Sequence, residues 1–171
     1  DADQTITLHK PATDALNIPA LDTLGWAYHG DVAGVTRAIL DGRPVRVEKS
    51  QPWPLPPLPA NVSADAEDPV ATLVVTDTSL RSTSANEIVL HPKSLVVGMG
   101  CNRGTDVAHL RDLLERTLAD HGLALDSVAA ITTVDLKAGE IGLLQLVKQL
   151  GVKLIDYPAD ELAAQPVPTP S

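Results

Sequence analysis

The amino-acid sequence predicts an α/β protein: a carboxyl-terminal βαβαβα domain with a mostly parallel sheet, preceded by a small α+β domain. From residue 94 onward, buried-strand patterns alternate with helical patterns, which is typical of parallel strands joined by right-handed crossovers. Aromatic residues make up only 2% of the chain and Phe is absent, so aliphatic side chains must form the core, as they do in parallel sheets. The 171 residues suffice for one ordinary domain or two small ones.

Charge and composition exclude several classes of function. The net charge is −9 and basic residues form no run of five, which argues against nucleic acid and against a membrane surface as partners. The single cysteine excludes an internal disulfide, and the five histidines show neither HxxxH nor HExxH spacing, so we expect no metal held by the protein. The chain has no pattern typical of a signal peptide or a membrane span, and we expect a cytoplasmic protein.

The first half of the chain predicts short elements around one helix. Residues 5–8 suit a short strand, and residues 12–16 suit a loop or one helical turn. Asp31 can cap a helix that Gly42 ends, because the apolar residues between them follow the helical period. Further strands are predicted at 44–48, 70–76 and 87–90.

A proline-rich stretch at 52–59 interrupts these elements. Five prolines within eight residues around Trp53 favour polyproline II geometry and exclude both a helix and a central strand. We interpret the stretch as a rigid connector; a PxxP ligand for an adaptor domain is the alternative.

The alternating pattern of the second half begins with an apolar run. Leu95, Val96 and Val97 suit a strand that is buried on both faces. A helix should begin just after the turn that follows, with Thr105 or Asp106 as its cap.

The remaining elements follow in the same order. The first helix should end at Gly122, and the next buried strand is predicted at 128–134. A second helix should end at Gly151, and a third strand is predicted at 152–156, before a turn at 160–162. The apolar face of the second helix is marked by Ile141, Leu144 and Val147.

A glycine-rich turn follows the first of these strands, at residues 98–104. Backbone N–H groups of such a turn, together with those of the helix start, can form a concave site for an anion, with Arg103 at its rim. A dinucleotide fingerprint is not supported, because its third glycine is late and Asp120 falls inside the predicted helix rather than at the end of a strand. The alternative is a tight turn that binds no ligand.

The loop after the strand predicted at 128–134 carries three charged residues, although capping of the next helix requires only one. Lys137 could bind a carboxylate or stabilise an oxyanion, and Glu140 could act as a general base toward water. Alternatively, Asp135 caps the helix, Lys137 is solvated, and Glu140 favours the positive end of the helix dipole. Because parallel strands end at the same edge of a sheet, this loop should lie beside the glycine-rich turn.

Cys101 has two interpretations. It could be a nucleophile whose pKa is lowered by the nearby helix start, or a small buried residue without catalytic role. The positions of the histidines do not indicate a base that would activate it.

Three motifs carry a resemblance to a known family. They are LVVGMGCNRGT at 95–105, TVDLKAGE at 133–140 and DEL at 160–162, followed by PVPTPS at 166–171. In order and spacing they resemble the carboxyl-terminal domain of cobalamin biosynthesis protein G, the cobalt-precorrin-5A hydrolase family. That domain is similar to the stand-alone cobalamin biosynthesis protein E. Residues 20–92 resemble the middle domain of the family more loosely.

The resemblance implies a division of the chain into domains. Residues 1–19 would be the tail of a preceding domain, residues 20–92 the middle domain with the connector at 52–59, and residues 94–171 a carboxyl-terminal domain that holds the corrinoid site.

The resemblance also implies a function in cobalamin biosynthesis. The family hydrolyses the ring-A lactone of cobalt-precorrin-5A, giving cobalt-precorrin-5B and acetaldehyde. Cobalt arrives within the substrate, so no cofactor of the protein itself is expected. The implied partners are the corrinoid precursor and other enzymes of the pathway; the alternative is a module that binds or carries a corrinoid intermediate without catalysis.

The expected site residues follow from these motifs. We expect catalytic roles for Asp135, Lys137 and Glu140. The expected substrate-binding residues all belong to the glycine-rich turn: Gly98, Gly100, Cys101, Asn102, Arg103, Gly104 and Thr105.

Overall fold

The chain divides into two compact units in a computed structural model, which describes Leu21 and residues 23–79 and 84–166. Within these residues, the first unit comprises Leu21, 23–76 and 84–90, and the second comprises 77–79 and 91–166. The strand expected at 5–8, the turn expected at 12–16 and the expected tail at 1–19 lie outside the described residues, as do the last five residues of the chain.

The described residues of the first unit form a five-stranded sheet and a helix at 32–40. The strands lie in the order β1-β5-β4-β2-β3, and the pairs β3-β2, β2-β4 and β4-β5 are parallel. The elements in chain order are β1 (Ala27–Gly30), α1 (Val32–Leu40), β2 (Val45–Lys49), β3 (Val62–Ser63), β4 (Ala71–Val75) and β5 (Glu87–His91).

Helix α1 and strands β2, β4 and β5 confirm the sequence predictions for this unit. The side chain of Asp31 accepts a hydrogen bond from the Gly34 N–H at 2.8 Å, as expected of a cap. Residues 51–59 form neither helix nor strand, which agrees with the rigid connector, and Leu55 and Leu58 pack against the aliphatic core. Strands β1 and β3 were not predicted, because four and two residues are too short for a clear alternation.

The second unit is a three-stranded parallel sheet with the strand order β6-β7-β8. This confirms the predicted βαβαβα alternation. The elements in chain order are β6 (Leu95–Gly98), α2 (Val107–Asp120), β7 (Val128–Val134), α3 (Ile141–Leu150), β8 (Lys153–Tyr157) and α4 (Ala159–Ala163).

Strand β6 is not buried on both faces, so that prediction was wrong. Leu95 and Val97 pack against the core formed with α2 and α3, whereas Val96 points to the other face and is 63% exposed. The reason lies in the strand order. Two right-handed crossovers that move across the sheet in one direction place both helices on the same face, and β6 is an edge strand with a neighbour on one side only.

The apolar face predicted for α3 was also partly wrong. Ile141 is 71% exposed and Leu144 is 47% exposed, whereas the buried stripe contains Leu143, Leu146 and Val147. The prediction of the helix end was correct, because Gly151 takes the left-handed conformation with φ +65° that closes a helix. Within the described parts of the chain, no helix is both long and apolar enough to cross a membrane.

Candidate functional site

The carboxyl ends of β6, β7 and β8 meet at one edge of the second sheet, which is where parallel α/β sheets place their ligands. The segment after β6 is the glycine-rich turn. The segment after β7 is a short 3₁₀ turn, Asp135–Lys137, that leads into α3. Both segments therefore lie at the same edge of the sheet, as the sequence predicted.

The end of the glycine-rich turn is closed by two hydrogen bonds from Thr105, the residue that follows it. The carbonyl of Asn102 accepts from the Thr105 N–H at 3.3 Å and from the Thr105 hydroxyl at 2.8 Å. Gly104 is the third residue of the four-residue turn at 102–105 and has φ +73°, a conformation that glycine adopts without steric cost. Asp106 then caps α2 by accepting from the Ala108 N–H at 2.7 Å, so of the two predicted caps the second is the one used.

Glu140 connects the two segments. Its Oε2 accepts a hydrogen bond from the Gly104 N–H at 2.9 Å, and its Oε1 accepts from the Lys137 Nζ at 3.3 Å. The Glu140 side chain is only 14% exposed and that of Lys137 is 28% exposed. One carboxylate therefore fixes a backbone N–H of the first segment and the ammonium group of the second.

The charge state of Glu140 follows from these contacts. The Gly104 N–H holds the pKa of this carboxyl below its ordinary value of 4.5, and the hydrogen bond and charge of Lys137 and the charge of Arg103 act in the same direction. Partial removal from water raises the pKa but does not outweigh them. Glu140 is therefore ionised at neutral pH, and with both oxygens occupied it is a weak proton acceptor.

Replacing Glu140 with glutamine should remove an acid-sensitive contribution to stability. Because the folded pKa lies below the unfolded one, this contribution is fully present above about pH 5 and is lost as the pH falls through the folded value. We expect the urea midpoints of wild type and Glu140→Gln to differ most near neutral pH and to converge as the pH falls through the lowered folded pKa of Glu140. Glu115→Gln, which removes one carboxylate from an exposed pair on α2, is the matched control. A difference that persists unchanged at low pH would contradict the assignment.

Asp135 does not cap α3. Its side chain is exposed, and its Oδ1 accepts from the neighbouring Leu136 N–H at 2.7 Å within the 3₁₀ turn. Glu140 occupies the cap position of α3, but its side chain makes no capping bond there because it is directed to Gly104 and Lys137. The alternative in which Asp135 caps the helix and Lys137 is simply solvated is therefore wrong.

Cys101 is partly buried and packs against the aliphatic core of the second unit. Asn102, Arg103 and Gly104 are exposed. In the described part of the chain, no three His, Cys, Asp or Glu residues are grouped in a way that could hold a metal ion.

The described residues line several cavities at this edge of the sheet, of which two contain most of the predicted site residues. The first, here called the turn cavity, has a volume of about 420 Å³ and is lined by Arg103, Gly104, Leu136, Gly139, Glu140 and Ile141. The second, here called the sheet-face cavity, has a volume of about 290 Å³ and is lined by Gly98, Met99, Gly100, Thr132, Thr133, Val134, Tyr157 and Leu162. The predicted site residues Gly98 and Gly100 thus line the sheet-face cavity and also a smaller cavity of about 150 Å³ beside α2, whereas Arg103, Gly104 and Glu140 line the turn cavity.

Several lining residues were missed by reasoning from the sequence. Thr132 and Val134 end the central strand, Tyr157 ends β8, and Leu162 belongs to α4. Tyr157 and Leu162 are 37% and 42% exposed. The strand predicted at 152–156 and the DEL motif at 160–162 could have indicated these residues, because every strand of a parallel sheet places its carboxyl end at the same edge.

Comparisons with known proteins match the residues that form this edge of the sheet to one family. Residues 95–171 match a protein-family model described as cobalamin synthesis G C-terminus. The chain is 32% identical over 165 residues to cobalt-precorrin-5A hydrolase of Priestia megaterium, a match that covers 86% of this chain and 44% of that protein. It is 34% identical over 71 residues to protein CobE of a Sinorhizobium species, covering 42% of this chain and 46% of that one. The chain thus spans about half the length of the curated relatives it matches.

Two solved structures are also similar. The crystal structure of CobE, a protein from the cobalamin (vitamin B12) biosynthetic pathway, is 40% identical with a TM-score of 0.36, covering 37% of this chain and 46% of that chain. A cobalamin biosynthesis protein G homolog from Sulfolobus solfataricus is 12% identical with a TM-score of 0.40, covering 86% of this chain and 45% of that chain. Because both TM-scores are low, the relationship rests on the sequence matches.

Proposed function

We propose that this chain, which matches the cobalamin synthesis G C-terminus model at residues 95–171, belongs to that family and acts in cobalamin biosynthesis as a cobalt-precorrin-5A hydrolase. Water opens the ring-A δ-lactone of the cobalt corrinoid, giving cobalt-precorrin-5B, and the former bridging carbon leaves within acetaldehyde. The observation that carries the proposal is the 32% identity to the hydrolase of Priestia megaterium over 86% of this chain.

Substrate binding is assigned to the glycine-rich turn and its neighbouring cations. A corrinoid precursor carries several acetate and propionate groups, and a chain with net charge −9 must bind them through local positive charge. Arg103 lines the turn cavity and can hold a carboxylate through two parallel N–H bonds. Lys137 supplies a second cation, and backbone N–H groups of the turn supply uncharged donors, other than those of Met99, Gly104 and Thr105, which are already hydrogen-bonded.

The catalytic roles are divided among three side chains. Lys137 stabilises the oxyanion that forms when water attacks the lactone carbonyl, because an ammonium group has three donors and Glu140 occupies one. Asp135 positions the attacking water, since its carboxylate is exposed and oriented by the Leu136 N–H. Glu140 keeps Lys137 and Gly104 in place, a role that suits its lowered pKa better than proton abstraction.

The cofactor and partner assignments complete the proposal. The protein needs no cofactor of its own, because cobalt is part of the substrate. It works in the cytoplasm, where it receives the corrinoid from one pathway enzyme and delivers it to the next.

A single titration tests the proposed function. The 171-residue chain is mixed with cobalt-precorrin-5A, the visible spectrum of the corrinoid is followed, and acetaldehyde is assayed in the same tube. We expect a spectral change with release of one acetaldehyde per substrate. Binding without acetaldehyde would favour the carrier alternative, and neither binding nor release would contradict both.

A further inference from the structure

Two glycines of the sheet-face cavity are not required by the fold. Neither Gly98 nor Gly100 has φ in the left-handed range, so any residue could adopt their backbone conformation. Among the described residues, the nearest atom to a Cβ at Gly98 is the Thr132 Oγ1 at 3.8 Å, an ordinary contact, and no atom of these residues lies within 4 Å of a Cβ at Gly100. Side chains at both positions would fit the protein as it stands.

Two other glycines nearby show the contrast. Gly104 has φ +73°, which disfavours other residues. Gly142 has the Thr105 carbonyl oxygen packed against it, so a Cβ there would overlap backbone. The fold therefore requires glycine at Gly104 and Gly142 but not at Gly98 and Gly100. Because glycine weakens a strand such as β6, its presence at position 98 needs another reason.

Gly98 and Gly100 line the sheet-face cavity, and both also line a smaller cavity of about 150 Å³ beside α2. Gly98 lies on the face of the sheet opposite the helices, because Val97 beside it packs into the core. It is paired with Thr132 of the central strand, so the glycine backbone and the Thr132 side chain lie next to each other on that face. Exposed glycine backbone at the carboxyl edge of a parallel sheet is a surface that a flat ligand can approach closely.

The walls of this cavity differ chemically from those of the turn cavity. The side chains of the described residues that line it carry no formal charge, and the large ones are Met99, Val134, Tyr157 and Leu162. Arg103 and Glu140 line the turn cavity instead. The two cavities thus offer an apolar surface and a charged one, on residues that flank the same glycine-rich turn.

We propose that the sheet-face cavity receives an apolar edge of the corrin macrocycle, lying against the backbone of Gly98 and Gly100 between Tyr157 and Leu162. This inference rests on the proposed function. At about 290 Å³ the cavity is at the lower end of small-molecule sites, so it holds one edge of the macrocycle rather than the whole ring. The carboxylates on the rest of the ring then reach toward the charged turn cavity.

Binding of dicyanocobyrinic acid, a cobalt corrinoid with free carboxylates and no lactone, tests the inference. Affinity is measured from its visible spectrum for wild type, Gly98→Ala, Gly100→Ala and Val96→Ile. Each glycine variant adds a methyl group to the cavity floor, and we expect affinity to fall about tenfold. Val96→Ile adds one carbon to an exposed residue on the same face of β6, outside the cavity, and should leave affinity unchanged.

The outcomes separate this inference from the proposed function. Thermal unfolding first establishes that each variant folds, as the open space at both glycines predicts. If wild type binds dicyanocobyrinic acid and both glycine variants bind it equally well, the macrocycle binds elsewhere. The inference is then overturned, and the proposed function is unaffected. If wild type does not bind it at all, the inference is overturned, and acetaldehyde release from cobalt-precorrin-5A decides the proposed function independently.

Discussion

Gly142→Ala should lower the free energy of unfolding of the second unit by about 3 kcal/mol. Gly142 lies in the first turn of α3, where the Thr105 carbonyl oxygen approaches so closely that a Cβ would overlap it, and the Leu110 Cδ1 would be 3.1 Å away. The obstacle is backbone of the glycine-rich turn rather than the end of a flexible side chain. Accommodating the methyl group therefore requires α3 and the turn to move apart.

Far-UV circular dichroism during urea unfolding measures this effect. Both tryptophans, Trp26 and Trp53, belong to the first unit, so their fluorescence reports that unit separately. Gly139→Ala is the matched control, because nothing lies within 4 Å of a Cβ at that position and its φ is not left-handed. We expect the control to differ from wild type by less than about 1 kcal/mol. Equal unfolding of the Gly142 and Gly139 variants would show that the turn is not held against α3.

Much of the second unit could be predicted from local sequence. Strand β7 was predicted with its exact bounds, because seven residues rich in β-branched side chains lie between polar segments. Helix α2 has an aspartate cap, three buried leucines at helical spacing and a glycine just beyond its end. Once two helices and three strands are known, the handedness of the crossovers fixes the parallel order.

The inward face of α3 could not be predicted, for a physical reason. Six of its ten residues are large and aliphatic, so more than one stripe of this helix satisfies a period of 3.6. Contact with the glycine-rich turn decides between them. Gly142 has to face Thr105, and this rotation buries Leu143 and exposes Ile141.

The candidate site shows the same limit. The meeting of the two loops follows from parallel topology alone, and the sequence predicted it. The direction of the Glu140 side chain does not follow from topology, since a glutamate at a helix start can serve the helix or a neighbouring loop. The open floor at Gly98 and Gly100 is likewise invisible in the sequence, where a glycine needed for left-handed backbone and a glycine that leaves room for a ligand look the same.

Lys137→Met should reduce the rate of acetaldehyde release at saturating substrate by about 100-fold, which is the largest effect we expect on activity. In the proposed mechanism the ammonium group faces negative charge that exists only in the transition state, so its loss lowers kcat more than it raises KM. Steady-state kinetics of the 171-residue chain with cobalt-precorrin-5A provide both values. Lys148→Met is the matched control, because Lys148 is an exposed lysine in the last turn of α3. It should leave kcat within about twofold of wild type, since a distant exposed charge is largely screened.

A double-mutant cycle separates direct action of Lys137 from action through Glu140. The two side chains are in contact at 3.3 Å, so removing either one alters the position of the other. If Lys137 only kept Glu140 in place, then kcat would fall by the same factor in Lys137→Met, in Glu140→Gln and in the double variant. If Lys137 stabilises the oxyanion itself, kcat falls further in Lys137→Met than in Glu140→Gln. Lys137→Arg, which keeps the charge in a different geometry, then has a higher kcat than Lys137→Met. A Lys137→Met variant with unchanged kcat would remove this residue from the mechanism and leave Arg103 and the backbone N–H groups of the turn as the remaining candidates for the oxyanion site.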